Sequence, residues 1–307
     1  MKVALCICTF RRPEGLARLL DELTKLKGGV DLEVVVADND AGEQGLAEGL
    51  AVCASLSDDY PYPVHALRAT EPGISGARNA ACSKALDLDV ELIAFLDDDE
   101  WPSPDWLSEM LRVQAQHDAD LVGGPTRSVF PEHVSPDLKN NQYYGADLQL
   151  EDGKLCVLEA AGNFLIKPDI LRSMAPEFFR REFAHSGGED LAFFTQLNQA
   201  GSQMRWAANA VVYEDVPNSR LDDNWLQQRV VNIHNSRVRV MQLLQPGFKH
   251  SLVRVLKTIA LGGTAFAMTL VSIALPRFRE ASRLLRWKFQ GKLTAHFGHT
   301  TVRGETY

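Results

Sequence analysis

The stretch Leu92-Ile93-Ala94-Phe95-Leu96-Asp97-Asp98-Asp99-Glu100 sets an apolar run directly against four carboxylates. A short apolar run bounded by polar residues reads as a buried strand. Carboxylates at the C-terminal end of such a strand stand where open α/β sheets bind ligands. Crowded carboxylates repel one another unless a cation neutralises them. Mg²⁺ and similar hard cations are often held by one or two carboxylates together with substrate phosphates. The stretch therefore points to a metal–diphosphate site, with a solvated acidic turn as the alternative.

Upstream, the pattern repeats the same rhythm. Lys2-Val-Ala-Leu-Cys-Ile-Cys-Thr9 reads as a first buried strand. Pro13 suits a first helical turn, and Leu16, Leu19, Leu20, Leu23 and Leu26 follow at helical spacing until Gly28-Gly29. Leu32 to Ala37 reads as a second strand ending at Asp38-Asn39-Asp40, and Val64 to Leu67 as a third. Strands alternating with helices predict a parallel sheet with right-handed crossovers. Glu71-Pro72-Gly73-Ile74-Ser75-Gly76-Ala77-Arg78-Asn79 enters a helix running to about Leu86.

Downstream, Ser103-Pro104-Asp105-Trp106 predicts a helix start with Ser as the cap; the helix reaches about His117. Leu121-Val122 reads as a short strand, and residues 126–155 as a long polar surface loop of the kind that carries ligand contacts. Cys156 to Ala161 and Asn163 to Ile166 are strand-like. Gly187-Gly188 precede Glu189-Asp190 and a helix over Leu191 to Ala200, and Ala210 to Tyr213 reads as a last strand. No internal repeat or low-complexity segment interrupts the chain.

Composition is that of a globular protein, 45% hydrophobic and 23% charged over 307 residues. The five cysteines form no CxxC pair, which predicts reduced thiols and the cytoplasm. The apolar run before Arg11-Arg12 is too short for a signal peptide. The net charge of −8 hides a division: from Val216 onward there are 14 Lys and Arg against 4 Asp and Glu. That asymmetry predicts a helical, basic C-terminal region with an anionic partner. Thr258 to Pro276 carries no charge and is followed by Arg277, Arg279, Arg283, Arg286, Lys288 and Lys292 among apolar residues. The segment fits a membrane span, a basic amphipathic helix on an anionic membrane face, or a buried helix hairpin.

Taken in order, several motifs make residues 1–215 resemble the inverting, non-processive family 2 glycosyltransferases of the GT-A type. They are Cys8-Thr9-Phe10-Arg11-Arg12, Asp38-Asn39, Gly73 to Asn79, Asp97-Asp98-Asp99, the Trp101/Pro104/Trp106 helix start, Ala161-Gly162-Asn163 and Gly188-Glu189-Asp190. The resemblance implies a GT-A fold, a Rossmann-like α/β sheet, mostly parallel and flanked by helices. It implies that Thr9, Asp38 and Arg78 contact the nucleotide, with Arg12 a weaker candidate beside the diphosphate. Asp97 would bind the ribose and share the metal with Asp99, which would hold Mg²⁺ or Mn²⁺; Asp98 matches either pairing of the DxD pattern. Asp190 would be the general base, with Glu189 and Asn163 on the acceptor side. The expected donor is a nucleotide-sugar, a UDP-sugar first among them. The expected acceptor is a saccharide or lipid-linked saccharide at the inner membrane surface, with no nucleic acid involved.

The chain departs from its relatives in three places. Thr195-Gln196-Leu197 stands where an Arg is common, and Glu214-Asp215 where a metal-binding His is common, leaving the third ligand open. Neither Gln203-Met204-Arg205-Trp206 nor Trp225 to Arg229 forms the QxxRW of processive members, which predicts one transfer per encounter. Two rivals remain: a nucleotidyltransferase making nucleotide-sugars, which would want a Gly-rich basic loop after the first strand, and a non-catalytic nucleotide-sugar-binding protein.

Overall fold

A computed structural model describes residues 1–40, 46–145 and 148–300. In chain order the first half contains β1 (Lys2–Thr9), α1 (Pro13–Leu23), β2 (Asp31–Asp38), α2 (Glu48–Ala54), β3 (Val64–Arg68), α3 (Ile74–Leu86), β4 (Leu92–Asp97), β5 (Glu100–Pro102), α4 (Trp106–His117), β6 (Leu121–Gly123), β7 (Thr126–Val129) and α5 (Pro136–Lys139). Then come β8 (Asn163–Ile166), α6 (Pro168–Arg172), α7 (Glu189–Gln199), β9 (Met204–Trp206), β10 (Val212–Asp215), α8 (Asp223–Leu244), α9 (Phe248–Ala274) and α10 (Arg279–His296).

Seven strands form one sheet in the order β3-β2-β1-β4-β8-β6-β9. Only β8 runs against its neighbours; β1, β2, β3 and β4 pair in parallel. The central strands β1 and β4 are apolar along nearly their whole length because both sheet faces are covered there. On one face Cys6, Val35 and Phe95 pack with Ala77 and Ala81 of α3 and Phe193 and Phe194 of α7. On the other, Leu5, Val34 and Leu96 pack with Leu16, Leu19, Leu20 and Leu23 of α1 and with Trp106 and Met110 of α4. The leucine spacing of α1 is thus its buried face.

Strand order reverses at β1, whose two neighbours are β2 and β4. That reversal is a topological switch point, and its carboxyl end is where such sheets bind ligands. Register aligns the candidates there: Thr9 lies opposite Asp38, Cys8 opposite Asp97, and Asp38 opposite Arg68.

Several local expectations are revised. Helix α4 is capped at Asp105 rather than Ser103, because Ser103 to Asp105 form a turn closed by Trp106 N–H donating to the Ser103 carbonyl. Helix α1 ends at Leu23, before the two glycines. Residues 126–155 are not all loop: β7 and α5 lie within them, and residues 146–147 are outside the described set. Residues 156–161 form no strand, although Cys156 N–H still donates to the Met204 carbonyl. The last strand, β10, leaves the main sheet and forms a second one, β5-β10-β7.

The chain divides into two compact units. The first comprises Met1–Ala184 and Phe193–Val216, and therefore both sheets; the second comprises His185–Ala192 and the chain from Pro217 onward. Within the second unit α10 packs on both α8 and α9: Gly291 lies against the Val231 carbonyl, and Gly262 against the Phe289 ring. All five cysteines are unbonded.

Candidate active site

The acidic run splits by orientation. Asp98 is buried, its side chain 6% exposed, whereas those of Asp97 and Asp99 are 38% and 30% exposed. Asp98 Oδ2 accepts from the Thr9 hydroxyl at 2.8 Å, and its Oδ1 from Arg12 at 3.1 Å. The middle aspartate therefore ties the end of β1 to the end of β4, and Thr9, expected at the nucleotide, has its hydroxyl engaged with it. Arg12 reaches on to Asp99 Oδ2 at 2.9 Å. Burial pushes the Asp98 carboxyl up to about 7, with Arg12 opposing that rise and Asp99 adding to it.

A carboxyl raised in the folded state stabilises the fold while protonated and loses that contribution as pH climbs through its folded value. The ligand-free protein is expected to lose a few kcal/mol from this group between its unfolded value of 3.8 and about 7. Asp98→Asn should flatten that part of the profile. Melting temperatures of both proteins across that pH window measure it; parallel curves would remove the assignment.

Glu100, given no role by its sequence position, closes the floor of the cluster. It is 6% exposed. Its Oε2 accepts the Asp97 backbone N–H at 3.1 Å, and its Oε1 the Thr126 hydroxyl at 3.2 Å. Burial holds this carboxyl well above the usual range, and the nearby carboxylates Asp97 and Glu214 add to the effect. Glu214 lies directly across the strand pair from Glu100, a neighbour that only the β5–β10 register reveals. A Cβ on Gly162 would meet the Glu100 carboxylate at 2.7 Å and Asp97 Oδ2 at 3.0 Å, so the Ala161-Gly162-Asn163 motif needs its glycine for close approach.

Arg78 comes from α3 and is 5% exposed. It donates to Asp97 Oδ1 at 3.2 Å and lies over the Phe179 ring, 5.4 Å from its centroid. The helix can present Arg78 there because its first turn is pressed against the preceding loop: a Cβ on Gly76 would stand 2.2 Å from the Glu71 carbonyl. Asn79, next in the motif, exchanges two hydrogen bonds with the Phe179 backbone at 2.9 and 2.7 Å. Those bonds hold the Phe179 segment against α3.

Asp38 is 1% exposed. Its two oxygens accept backbone N–H groups of Asp40 and Leu50 at 2.9 and 3.2 Å. It thus organises the entry and exit of the loop after β2, whose residues 41–45 lie outside the described set. Asn39 donates to the Ala69 and Glu71 carbonyls and so anchors the chain leading into α3.

Asn163 is placed differently from an acceptor contact. Its Oδ1 accepts Trp106 Nε1–H at 2.8 Å, and its Nδ2 donates to the Pro125 and Ala210 carbonyls at 3.1 and 3.0 Å. Both amide hydrogens are engaged, and the residue is 6% exposed. It joins β8, α4 and the two loops beside β6 and β10. Asn163→Ala removes the partner of the buried Trp106 indole N–H and Ala210 carbonyl, each worth ~1–3 kcal/mol, while the Pro125 carbonyl keeps the Val212 N–H. The variant should lose ~3–5 kcal/mol by urea titration; a loss below about 1 kcal/mol would show water replacing the amide.

Glu189 and Asp190 form the first turn of α7 and belong to the second unit. Glu189 is 1% exposed; Asp190 is half-buried, and its Oδ1 accepts the Leu191 N–H. The turn before them, with Gly187 and Gly188 at φ +72° and +107°, is held from α8. Ser236 donates to the Gly187 carbonyl at 3.1 Å, and Arg239 to the Ser186 hydroxyl at 2.7 Å.

Among the described residues no group of three His, Cys, Asp or Glu is placed to hold a metal ion. The donor set instead suits a hard cation bound by one or two carboxylates, Asp97 and Asp99, with its remaining oxygens supplied by a phosphate ligand. Arg12 and Arg78 stand beside those carboxylates, and guanidinium is well suited to phosphate oxygens.

Residues 4–174 match the family described as Glycosyl transferase family 2. The chain belongs to that family. This transferase is 28% identical over 294 residues to the succinoglycan biosynthesis protein ExoM of Rhizobium meliloti (strain 1021), covering 92% of the chain and 88% of the relative. It is 24% identical over 250 residues to the hyaluronan synthase of Pasteurella multocida, covering 70% of the chain and 24% of that longer protein. Among solved structures, the transferase resembles the mannosyltransferase PcManGT from Pyrobaculum calidifontis in complex with GDP-Man and Mn²⁺. That match has a TM-score of 0.66 at 15% identity, covering 96% and 87% of the two chains. S. aureus TarS 1–349 in complex with UDP-GlcNAc matches at a TM-score of 0.55 and 13% identity, covering 97% and 93%. These neighbours show the GT-A fold.

Proposed function

We propose that the chain is an inverting glycosyltransferase that moves one sugar per encounter from a nucleotide-sugar to an acceptor hydroxyl. The observation that carries this reading is the pair of half-buried, solvent-accessible carboxylates, Asp97 and Asp99, at the switch point of the sheet with Arg78 and Arg12 beside them. A nucleotide-sugar offers that site a diphosphate for the guanidinium groups and a ribose for Asp97. Thr9 and Asp38 border the nucleoside end. Asp99, with Asp97 beside it, would hold a divalent cation. When bound, Mg²⁺ or Mn²⁺ neutralises charge growing on the departing nucleoside diphosphate.

Asp190 takes the proton of the acceptor hydroxyl as its oxygen attacks the anomeric carbon. The bond from that carbon to the phosphate oxygen breaks, its electron pair leaves with the nucleoside diphosphate, and one displacement inverts the centre. Glu189, beside Asp190 in the first turn of α7, would stand on the acceptor side. The named relatives support a place in polysaccharide synthesis; the acceptor in this reading is a saccharide or lipid-linked saccharide met at the cytoplasmic face of the membrane. The solved neighbours' GDP-Man, UDP-GlcNAc and Mn²⁺ support the donor class and the metal, with a UDP-sugar the first donor to try.

The test is a thermal-shift screen of nucleoside diphosphates with Mn²⁺ and with chelator. Ligand at about a hundred times its dissociation constant stabilises the fold by ~2.7 kcal/mol. The expected outcome is a rise in melting temperature for one nucleotide that needs the metal, followed by release of that nucleoside diphosphate from its sugar donor. No shift with any nucleotide overturns the reading. Pyrophosphate release from a nucleoside triphosphate and a sugar phosphate would replace it with nucleotidyl transfer.

A further inference from the structure

Helix α9 is built inside out. Its residues facing the rest of the second unit are small or hydroxylated: Thr258, Ala265 and Ser272 are buried, with Gly262 and Thr269 on the same stripe. Thr258 bonds His296 and Thr269 bonds Ser282, both on α10. The large apolar residues point the other way: Leu256 is 55% exposed, Ile259 63%, Phe266 68%, Leu270 54% and Ile273 74%. Only 17% of the helix's most apolar 18-residue window is buried. A helix of a water-soluble domain turns its largest apolar side chains inward. Small residues at the helix contact and large apolar ones outside are the arrangement of helices whose solvent is lipid.

The surroundings say which lipid phase and at what depth. Lys249 and Lys257 lie in the first turns of α9; Arg277, Arg279, Arg286 and Lys292 follow it along the returning chain. The charges acting on Lys292 are Lys257, Arg237 and Lys288, all cationic. Such a crest attracts an anionic surface, each cation near it contributing about 1 kcal/mol. The helix has 27 residues and is apolar enough to cross a membrane. Its partner helix rules against crossing. Helix α10 runs antiparallel beside it, so Arg283 and Arg286 stand level with residues 262–269, between the Ser282–Thr269 and Phe289–Gly262 contacts. A perpendicular α9 would carry those arginines toward the bilayer centre, where each costs ~2.5–3.5 kcal/mol.

We propose that α9 lies in the plane of an anionic membrane, its Ile259/Phe266/Ile273 face among the acyl chains and the surrounding lysines and arginines at the phosphate headgroups. This deepens the membrane-surface part of the proposed function and does not depend on the transfer chemistry.

The full chain is tested by co-sedimentation with phosphatidylcholine vesicles, with and without phosphatidylglycerol. Binding to the anionic vesicles alone is expected, lost in high salt, in Ile259→Asp/Phe266→Asp and in Lys288→Glu/Lys292→Glu. Bound protein should be released by alkaline carbonate; retention would mean a span and overturn the in-plane arrangement. No binding to anionic vesicles overturns the proposal. So does a lipid-independent dimer in light scattering that Ile259→Asp/Phe266→Asp makes monomeric, since a second copy would then cover the face. The nucleotide thermal shift of the Asp variants reads the catalytic site separately: an unchanged shift with lost lipid binding keeps the two readings apart.

Discussion

Asp190→Asn should bind nucleoside diphosphate and metal as the parent protein does, yet turn over its donor ~10²–10⁴-fold more slowly, the range a positioned general base supplies. Asparagine preserves the size of the side chain and can still accept the Leu191 N–H, so the first turn of α7 should persist. What it cannot do is take the hydroxyl proton. The loss should therefore fall on kcat, with the melting-temperature rise on adding nucleotide and Mn²⁺ unchanged. Single-turnover rates with acceptor in excess would measure it. An Asp190→Asn enzyme of undiminished rate would move the base elsewhere, and weakened nucleotide binding would place Asp190 on the donor.

The second large effect is expected at Asp99. Asp99→Asn keeps an acceptor oxygen for Arg12, which also bonds Asp98. The ligand-free fold should therefore stay near its parent stability. Charge neutralisation by a bound cation is worth several kcal/mol in the transition state, so the variant should turn over ~10³-fold more slowly. Its nucleotide response should also no longer distinguish Mn²⁺ from chelator. Calorimetric titration of Mn²⁺ in the presence of nucleoside diphosphate reads this directly. Asp98→Asn is the control, because its carboxylate is turned inward to Thr9 and Arg12. If Asp98→Asn abolishes metal-dependent binding while Asp99→Asn does not, the two aspartates exchange roles.

The sheet was legible because its signal is local. Strands buried on both faces are continuously apolar, and α1 writes its buried face in leucines three and four residues apart. What could not be read depends on register. Glu100 looks like a fourth surface acid until β10 places Glu214 across from it. The short strand β7 lies within a polar segment whose pairing partner is more than eighty residues away. Motif residues were found, but their tasks were only half visible. Asn163 and Asp38 sit at expected strand ends, yet their hydrogen bonds run to backbone groups, and for Asn163 also to the Trp106 indole, brought near by the fold. The inside-out pattern of α9 was likewise hidden: its hydrophobicity is in the sequence, but which residues face outward is decided by α10.

The division of the chain bears on how small a working fragment can be. The motifs end near residue 215, which invites cutting after the last strand. Such a piece keeps both sheets and the acidic run of β4. It removes α8, and with it the Ser236 and Arg239 side chains that hold the Ser186–Gly187 turn just ahead of Asp190. The helices that follow the sheet thus also brace the turn that carries the proposed base. If Asp190 is the base and α9 the membrane contact, as proposed, exchanging that C-terminal segment between relatives should alter catalysis and membrane placement together.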